Sequence, residues 1–160
     1  NDVLRSGSVA EQALRQEKRL RIDKLITEVV ADYTLLAKTR GMTFAVNTQP
    51  VTIYANRDMM RHVISNLVSN AVRHSDAGSV ITITCGQRKL AIENACTPLT
   101  KQQLQHVFDP FYRSNTTTKQ HADSSGIGLY TVKMLLDAKG LDYSFAPHGQ
   151  GMRFVVKLAS

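Results

Sequence analysis

The spacing of apolar residues changes several times along the chain, and each change marks a predicted element. Residues 1–19 are polar apart from isolated apolar positions, so we expect a linker there and a folded unit in residues 20–160. After Asp23 the apolar residues recur every three or four positions, which predicts an amphipathic helix. Asp23 is the predicted N-cap of this helix, and Gly41 is its predicted end.

Short runs rich in β-branched residues follow, and they alternate with further helical patterns. Strands are predicted at residues 42–46, 51–54, 79–85, 89–93, 141–146 and 152–158, with turns at residues 47–50 and 86–88. Helices are predicted from the cap Asn56 to His74, over residues 101–107 and over residues 128–140. The order favours an α/β fold: a two-layer sandwich of a mixed, largely antiparallel sheet with about three helices on one face.

Composition narrows the range of partners and cellular locations that the sequence allows. Lys and Arg number 20 against 13 Asp and Glu, so a formal charge of +7 suits an anionic partner such as a nucleotide. The basic residues are scattered, which argues against nucleic acid. Cys85 and Cys96 lack metal-ligand spacing, and two thiols are too few for a disulfide scaffold at this length, so a reducing cytoplasm is the expected location. No apolar run approaches the roughly 20 residues that cross a bilayer.

The second predicted helix carries polar residues beside its apolar stripe. Asn66, Asn70 and Arg73 lie three and four positions apart, so they project from one flank. An amide oxygen suits Mg²⁺, and a guanidinium suits phosphate oxygens. Taken alone, the flank is more typical of an ordinary solvated helix face, where Asn and Arg are common.

Two other segments are candidates for chemistry. The segment S-S-G-I-G-L at residues 124–129 precedes a predicted helix, where glycines allow a close backbone approach to an anion; a simple loop-to-helix turn is the alternative. The segment F-D-P-F-Y-R at residues 108–113 offers Arg113 as a candidate catalytic residue. We expect Phe108 and Phe111 to anchor this segment in the core.

The order of these segments resembles that of the histidine kinases in the GHKL ATPase superfamily. Residues 66–75 (N-L-V-S-N-A-V-R-H-S) resemble the asparagine box, residues 108–113 the phenylalanine box and residues 125–133 (S-G-I-G-L-Y-T-V-K) the second glycine box. The closing G-x-G-x-x-F at residues 149–154 extends the resemblance. It implies the Bergerat fold, with ATP and Mg²⁺ as cofactors and residues 109–125 as the ATP lid.

The resemblance also implies individual roles. Asn70 would ligate Mg²⁺, Arg73 would contact phosphate, and Arg113 would reach the γ-phosphate, which makes Arg73 and Arg113 the expected catalytic residues. His74 stands where the family often has a Tyr near the nucleotide. The implied nucleotide-binding residues are Asn66, Asn70, Arg73, His74, Asn94, Leu99, Ser125, Gly126, Ile127, Gly128 and Leu129.

The first glycine box, D-x-G-x-G in the family, departs from the pattern. It aligns with residues 94–98, so Asn94 replaces the Asp that accepts from the adenine amino group, and Cys96 and Pro98 replace the glycines. Asn94 can still accept that bond, without a charge. Ser124 also replaces the leading glycine of the second box. Weak nucleotide affinity or a reshaped adenine pocket would follow.

The expected function is transfer of the ATP γ-phosphoryl group to a His on a separate dimerisation domain, for onward transfer to an Asp of a response regulator. The acceptor is expected elsewhere because none of the five histidines (His62, His74, His106, His121 and His148) precedes an acidic residue. Residues 1–19 would then be the remnant of the connection to that domain. We expect the fragment to be monomeric and cytoplasmic, and its parent to be membrane-anchored.

Two alternatives stay open. A degenerate pseudokinase could bind nucleotide or dock without phosphotransfer, as the altered first glycine box suggests. An anti-sigma-factor kinase acting on Ser or Thr is the other alternative, and the F-D-P-F-Y-R segment favours the histidine kinases over it.

Overall fold

The computed structural model describes Glu11 and residues 14–112 and 128–158. In chain order the elements are β1 (Lys18–Arg21), α1 (Ile22–Thr39), β2 (Thr43–Thr48), β3 (Thr52–Ala55), α2 (Arg57–His74), β4 (Val80–Gly86), β5 (Lys89–Ala95), α3 (Lys101–His106), α4 (Gly128–Lys139), β6 (Tyr143–His148) and β7 (Gly151–Lys157). None of the helices described is both long enough and apolar enough to cross a membrane.

Five of these strands form the main sheet, in the order β2-β4-β5-β7-β6. β2 runs parallel to β4, and the other neighbours are antiparallel. Buried residues alternate with half-buried ones along β4, as expected of a sheet with one face against the core. The predicted α/β sandwich with a mixed, largely antiparallel sheet is confirmed.

The helices cover one face of this sheet, and α2 lies at the centre of the core. Its eight buried residues (Met59, Met60, Val63, Ile64, Leu67, Val68, Ala71 and Val72) form one stripe. The stripe joins a single apolar cluster with Ile81 and Ile83 of β4 and Leu90 and Ile92 of β5. Asn56 caps α2 as predicted, since its side chain accepts from the amide of Met59 at 2.9 Å.

The strands β2 and β3 follow one another in sequence but do not pair. β3 forms a separate two-stranded antiparallel sheet with β1. The chain between them is held at both ends: the amide of Gln49 donates to the carbonyl of Cys85 at 2.7 Å, and the amide of Ile22 donates to the carbonyl of Val51 at 2.9 Å. The connection therefore leaves the main sheet for the start of α1, rather than turning back on β2.

The strand β1 shows that ordered structure begins slightly before Leu20. Lys18 and Arg19, which the sequence assigned to the linker, pair with Ala55 and Tyr54. Glu17 forms an ion pair with Lys139 at the end of α4, and both side chains are mostly buried. The segment next to β1 is thus attached to the body of the domain.

Asp23 does not cap α1, contrary to the prediction. The helix begins at Ile22, with Arg21 as its N-cap. Asp23 is buried and accepts from Arg21 Nε at 2.9 Å and from the amide of Val51 at 3.1 Å. The hydrogen bond from Arg21, aided by that from Val51, lowers the pKa of Asp23 to about 2. Its carboxylate therefore ties the start of α1 to the chain entering β3.

We predict that Asp23 makes stability depend on pH in the acid range. Because its pKa falls from 3.8 to about 2 on folding, its contribution is present above pH 3.8 and is lost as the pH falls toward 2. Asp23→Asn should lower the free energy of unfolding by about 1–2 kcal/mol at pH 7. In denaturant unfolding, the difference from wild type should shrink below about pH 4.

Asp142→Asn, which alters an exposed carboxylate, is the control and should show no such pH-dependent difference. A difference for Asp23→Asn that stays constant down to pH 2 would contradict this account of the carboxylate.

The closest backbone approach at a glycine in the described chain lies between β5 and β7. A Cβ on Gly151 would sit 1.8 Å from the carbonyl oxygen of Asn94, which is far inside contact distance. Only glycine therefore allows β7 to pair with the end of β5 in this register.

We predict that Gly151→Ala lowers the free energy of unfolding by at least about 2 kcal/mol, because the new methyl group forces β5 and β7 apart. Gly149→Ala is the matched control: Gly149 has a φ of +58°, but a Cβ added there would meet no atom within 4 Å, so only backbone strain of about 1 kcal/mol is expected. Equal losses for the two variants in denaturant titration would refute the steric explanation.

Candidate functional site

The polar flank of α2 faces the beginning of α4. Asn66, Asn70 and Arg73 are all half-buried. The amide nitrogen of Asn66 donates to the carbonyl oxygen of Gly128 at 3.3 Å. Two segments separated by about 60 residues in the sequence therefore meet, as the predicted boxes require.

The start of α4 contributes a helix N-terminus to this region. α4 runs for 12 residues from Gly128, and its buried residues Val132, Leu135 and Leu136 fix it on the core. The unpaired amides and partial positive charge of a helix N-terminus favour an anion. Leu129 is half-buried and packs against the core, so its side chain also serves packing.

The end of β5 lies next to the C-terminal end of α2. The carbonyl oxygen of Ala95 accepts from the amide of Asp76, just beyond α2, at 2.8 Å. The amide of Cys96 donates to the carbonyl oxygen of Gln150 at 3.2 Å. The segment that carries Asn94 is thus held between the end of α2 and the turn before β7.

Leu99 lies beyond this strand end, against β7. Its amide contacts Met152 Sδ at 3.5 Å, and Met152 is the register partner of Asn94. Asn94 and Leu99, both half-buried, therefore both lie next to the buried Met152. The sequence did not indicate that Met152 and Asp76 lie beside the candidate site. For Met152, the G-x-G-x-x-F segment at residues 149–154 was the only motif nearby.

The phenylalanine segment is only partly a core anchor. Phe108 packs edge-on against Tyr143, Phe145 and Phe154, with ring centroids 5.7, 6.5 and 6.2 Å away. Phe111, in contrast, is 59% exposed, so the prediction that it anchors the core is wrong. Its φ of +67° lies in the left-handed region, directly after Pro110.

The remaining predicted site residues lie outside the described residues. These are Arg113, Ser124, Ser125, Gly126 and Ile127, together with His121 and most of the predicted lid at residues 109–125. The observed geometry therefore concerns the α2 flank, the end of β5 and the start of α4.

Comparison with known proteins decides the family. Residues 55–160 match the family described as "Histidine kinase-, DNA gyrase B-, and HSP90-like ATPase", which is more than half of the chain. The chain belongs to this family. The resemblance drawn from the three boxes is thereby confirmed, and the chain is an ATPase domain of that type.

The relatives and structural neighbours of this ATPase domain include histidine kinases. The sensor histidine protein kinase HK06 of Streptococcus pneumoniae serotype 2 (strain D39) is 34% identical over 158 residues, covering 98% of this chain and 35% of HK06. The chain thus spans about a third of the length of that relative.

Two solved structures share the fold. The catalytic domain of histidine kinase ThkA superposes with a TM-score of 0.77 at 21% identity, covering 88% of this chain and 93% of that one. Full-length ShkA in complex with AMPPNP superposes with a TM-score of 0.76 at 22% identity, covering 98% of this chain and 34% of that one.

Cys96, in the segment that aligns with the first glycine box, carries a protonated thiol rather than a thiolate. Burial raises the pKa of the Cys96 thiol, although a hydrogen bond from the Asn94 side chain acts in the opposite direction. The thiol is therefore neutral at pH 7 and adds no negative charge beside the site. Burial also raises the pKa of Cys85, to about 11, inside the core.

The candidate metal ligands at this site are the amide oxygens of the α2 flank. Within the described ranges, no three His, Cys, Asp or Glu side chains converge to hold one. Mg²⁺ commonly uses one or two protein oxygens and completes its shell with water and phosphate. The half-buried amide of Asn70 fits that requirement, because it lies one helical turn from Asn66 on the flank that faces α4.

Proposed function

We propose that this chain is the catalytic domain of a sensor histidine kinase. It binds ATP between the polar flank of α2, the end of β5 and the start of α4, and transfers the γ-phosphoryl group to a His of a separate dimerisation domain. The observation that carries the proposal is the contact of Asn66 with Gly128. This contact joins α2, which carries the asparagines, to the N-terminus of α4, which would bind the phosphates.

The nucleotide would lie along α2 with its base near β5. Asn94 Oδ1 accepts from the adenine amino group, and Leu99 contacts the base. The phosphates extend toward Arg73 and the N-terminus of α4, where the Gly128 backbone leaves room for them. His74, at the last position of α2, lies beside the nucleotide.

The chemistry would rest on positioning and charge. Asn70, with Asn66 beside it, would hold Mg²⁺, which would neutralise charge on the phosphate oxygens. The guanidinium groups of Arg73 and Arg113 donate to the γ-phosphoryl oxygens. The imidazole nitrogen of the acceptor forms the new P–N bond while the bond from the γ-phosphorus to the bridging oxygen breaks and ADP leaves with the electron pair.

The partners follow from that chemistry. The imidazole nucleophile would come from the dimerisation domain of the same protein, and the phosphoryl group would pass to an Asp of a response regulator. The domain would work in the cytoplasm, attached to a membrane-anchored sensor, as the resemblance to histidine kinases implies. Residues 1–17 would belong to the connection between the two domains.

A second candidate is a docking module without phosphotransfer. It is favoured by Cys96, whose half-buried side chain occupies a place where the family has glycine. A side chain there narrows the space in which the backbone approaches the base. Nucleotide binding separates the two candidates.

We predict that the protein binds an unhydrolysable ATP analogue with Mg²⁺ at 1:1 stoichiometry in calorimetric titration. Asn70→Ala should weaken binding at least about tenfold, because the metal loses its protein oxygen. Asn47→Ala, which removes an exposed amide on the edge strand β2, is the matched control and should bind like wild type.

Absence of binding at millimolar nucleotide by a folded sample would refute the ATP site and favour the docking module. Equal binding by Asn70→Ala and wild type would instead remove Asn70 as the metal ligand.

A further inference from the structure

The N-terminal segment, residues 14–21, is bound to two helices at once. The side chain of Glu17 forms an ion pair with Lys139, the last residue of α4. The side-chain amide of Asn56, the N-cap of α2, donates to the carbonyl oxygen of Arg15 at 2.7 Å. The segment then continues into β1, which pairs with β3. It therefore joins the end of α4 to the beginning of α2.

The ion pair between Glu17 and Lys139 is largely shielded from water. The exposed fraction is 21% for the side chain of Glu17 and 18% for that of Lys139. A second ion pair on α4, between Lys133 and Asp137, is in contrast about half exposed. Shielded charges attract one another more strongly than exposed ones, and removal of one partner leaves the other uncompensated. The pair is therefore a firm restraint on the end of α4.

The two helices that the segment joins are also the two that meet at the candidate nucleotide site. Gly128, the first residue of α4, accepts from the side chain of Asn66 in the middle of α2. Lys139, the last residue of α4, is held by the segment that contacts Asn56 at the beginning of α2. The nucleotide site thus lies at one end of α4, and the N-terminal segment lies at the other.

A helix carries a restraint from one end to the other because its backbone is rigid. The 12 residues of α4 span roughly 18 Å, so a small tilt at Lys139 displaces the amides of the first turn. At the site end, the bond from Asn66 to Gly128 is 3.3 Å long, which is beyond the usual length for such bonds. The position of the amides that would bind phosphate therefore depends on the restraint at Lys139.

We propose that Glu17 and Lys139 are positioning residues for the nucleotide site. Their ion pair, with the bond from Asn56 to Arg15, holds α4 at the angle to α2 at which its first amides meet the phosphates. This inference rests on the proposed ATP site. It assigns a function to a contact remote from the nucleotide: loss of the ion pair weakens nucleotide binding although no residue that contacts the nucleotide has changed.

The test measures the dissociation constant of an unhydrolysable ATP analogue with Mg²⁺ by calorimetry, for variants that denaturant unfolding shows to be folded. Lys139→Glu brings two carboxylates together and should raise the dissociation constant at least about fivefold, as should Glu17→Lys. The double variant that combines Glu17→Lys with Lys139→Glu restores an ion pair, and its dissociation constant should return to within about twofold of wild type. A merely structural contact would lower the unfolding midpoint and leave the affinity of the folded protein unchanged.

A milder variant tests the contact with α2. In Asn56→Asp the carboxylate still caps α2 but cannot donate to the carbonyl oxygen of Arg15, so the dissociation constant should rise about threefold in a folded protein. Lys18→Glu is the matched control. It makes the same change of net charge as Lys139→Glu at an exposed position next to Glu17, and it should bind like wild type.

The outcomes separate the positioning role from the ATP site. If wild type binds the analogue and folded Lys139→Glu binds within about twofold of it, the positioning role is overturned and the ATP site stands. An equal loss of affinity in Lys18→Glu, or no recovery in the double variant, also overturns it. If the charge reversals do not fold, wild-type affinity in Asn56→Asp overturns it. A folded wild type that binds no nucleotide overturns the ATP site, and the positioning role with it.

Discussion

The burial of the apolar stripe of α2 is the constraint on which the rest of the structure depends. Its eight buried residues bring the helix against α1, α4 and the main sheet. Once that stripe is buried, the rotation of the helix is fixed, and Asn66 on the adjacent polar flank contacts Gly128 at the start of α4. Stability and the candidate site are thus set by two adjacent faces of one helix.

Much of the fold was predictable from the sequence because local patterns determine it. The stripe of α2 has an unbroken helical period, and its cap Asn56 is a strong local signal. The pairing of β3 with β1 was not predictable, since β1 is short and polar and its partner is chosen by tertiary contacts. Asp23 was misread for a similar reason: its partner, the amide of Val51, is 28 residues away in the sequence.

The candidate site was predictable as a set of segments but not as a geometry. The order of the motifs already assigned Asn66 and Gly128 to one nucleotide site. The contacts of Leu99 with Met152 and of Ala95 with Asp76, in contrast, depend on strand register and on where α2 ends. The altered glycine box illustrates the same limit. From the sequence, Cys96 is a lost glycine; in the folded chain, its amide donates to the carbonyl oxygen of Gln150, so residue 96 is also tied to the turn before β7.

The central claim is that the α2 flank, the end of β5 and the start of α4 form one nucleotide site. The most direct test is an NMR titration of ¹⁵N-labelled protein with Mg²⁺ and an unhydrolysable ATP analogue. The account predicts that the largest shift changes occur at Asn66, Asn70, Asn94 and Leu129, with the β1–β3 sheet unaffected. Changes confined to that small sheet, or to the exposed end of α1, would contradict the claim.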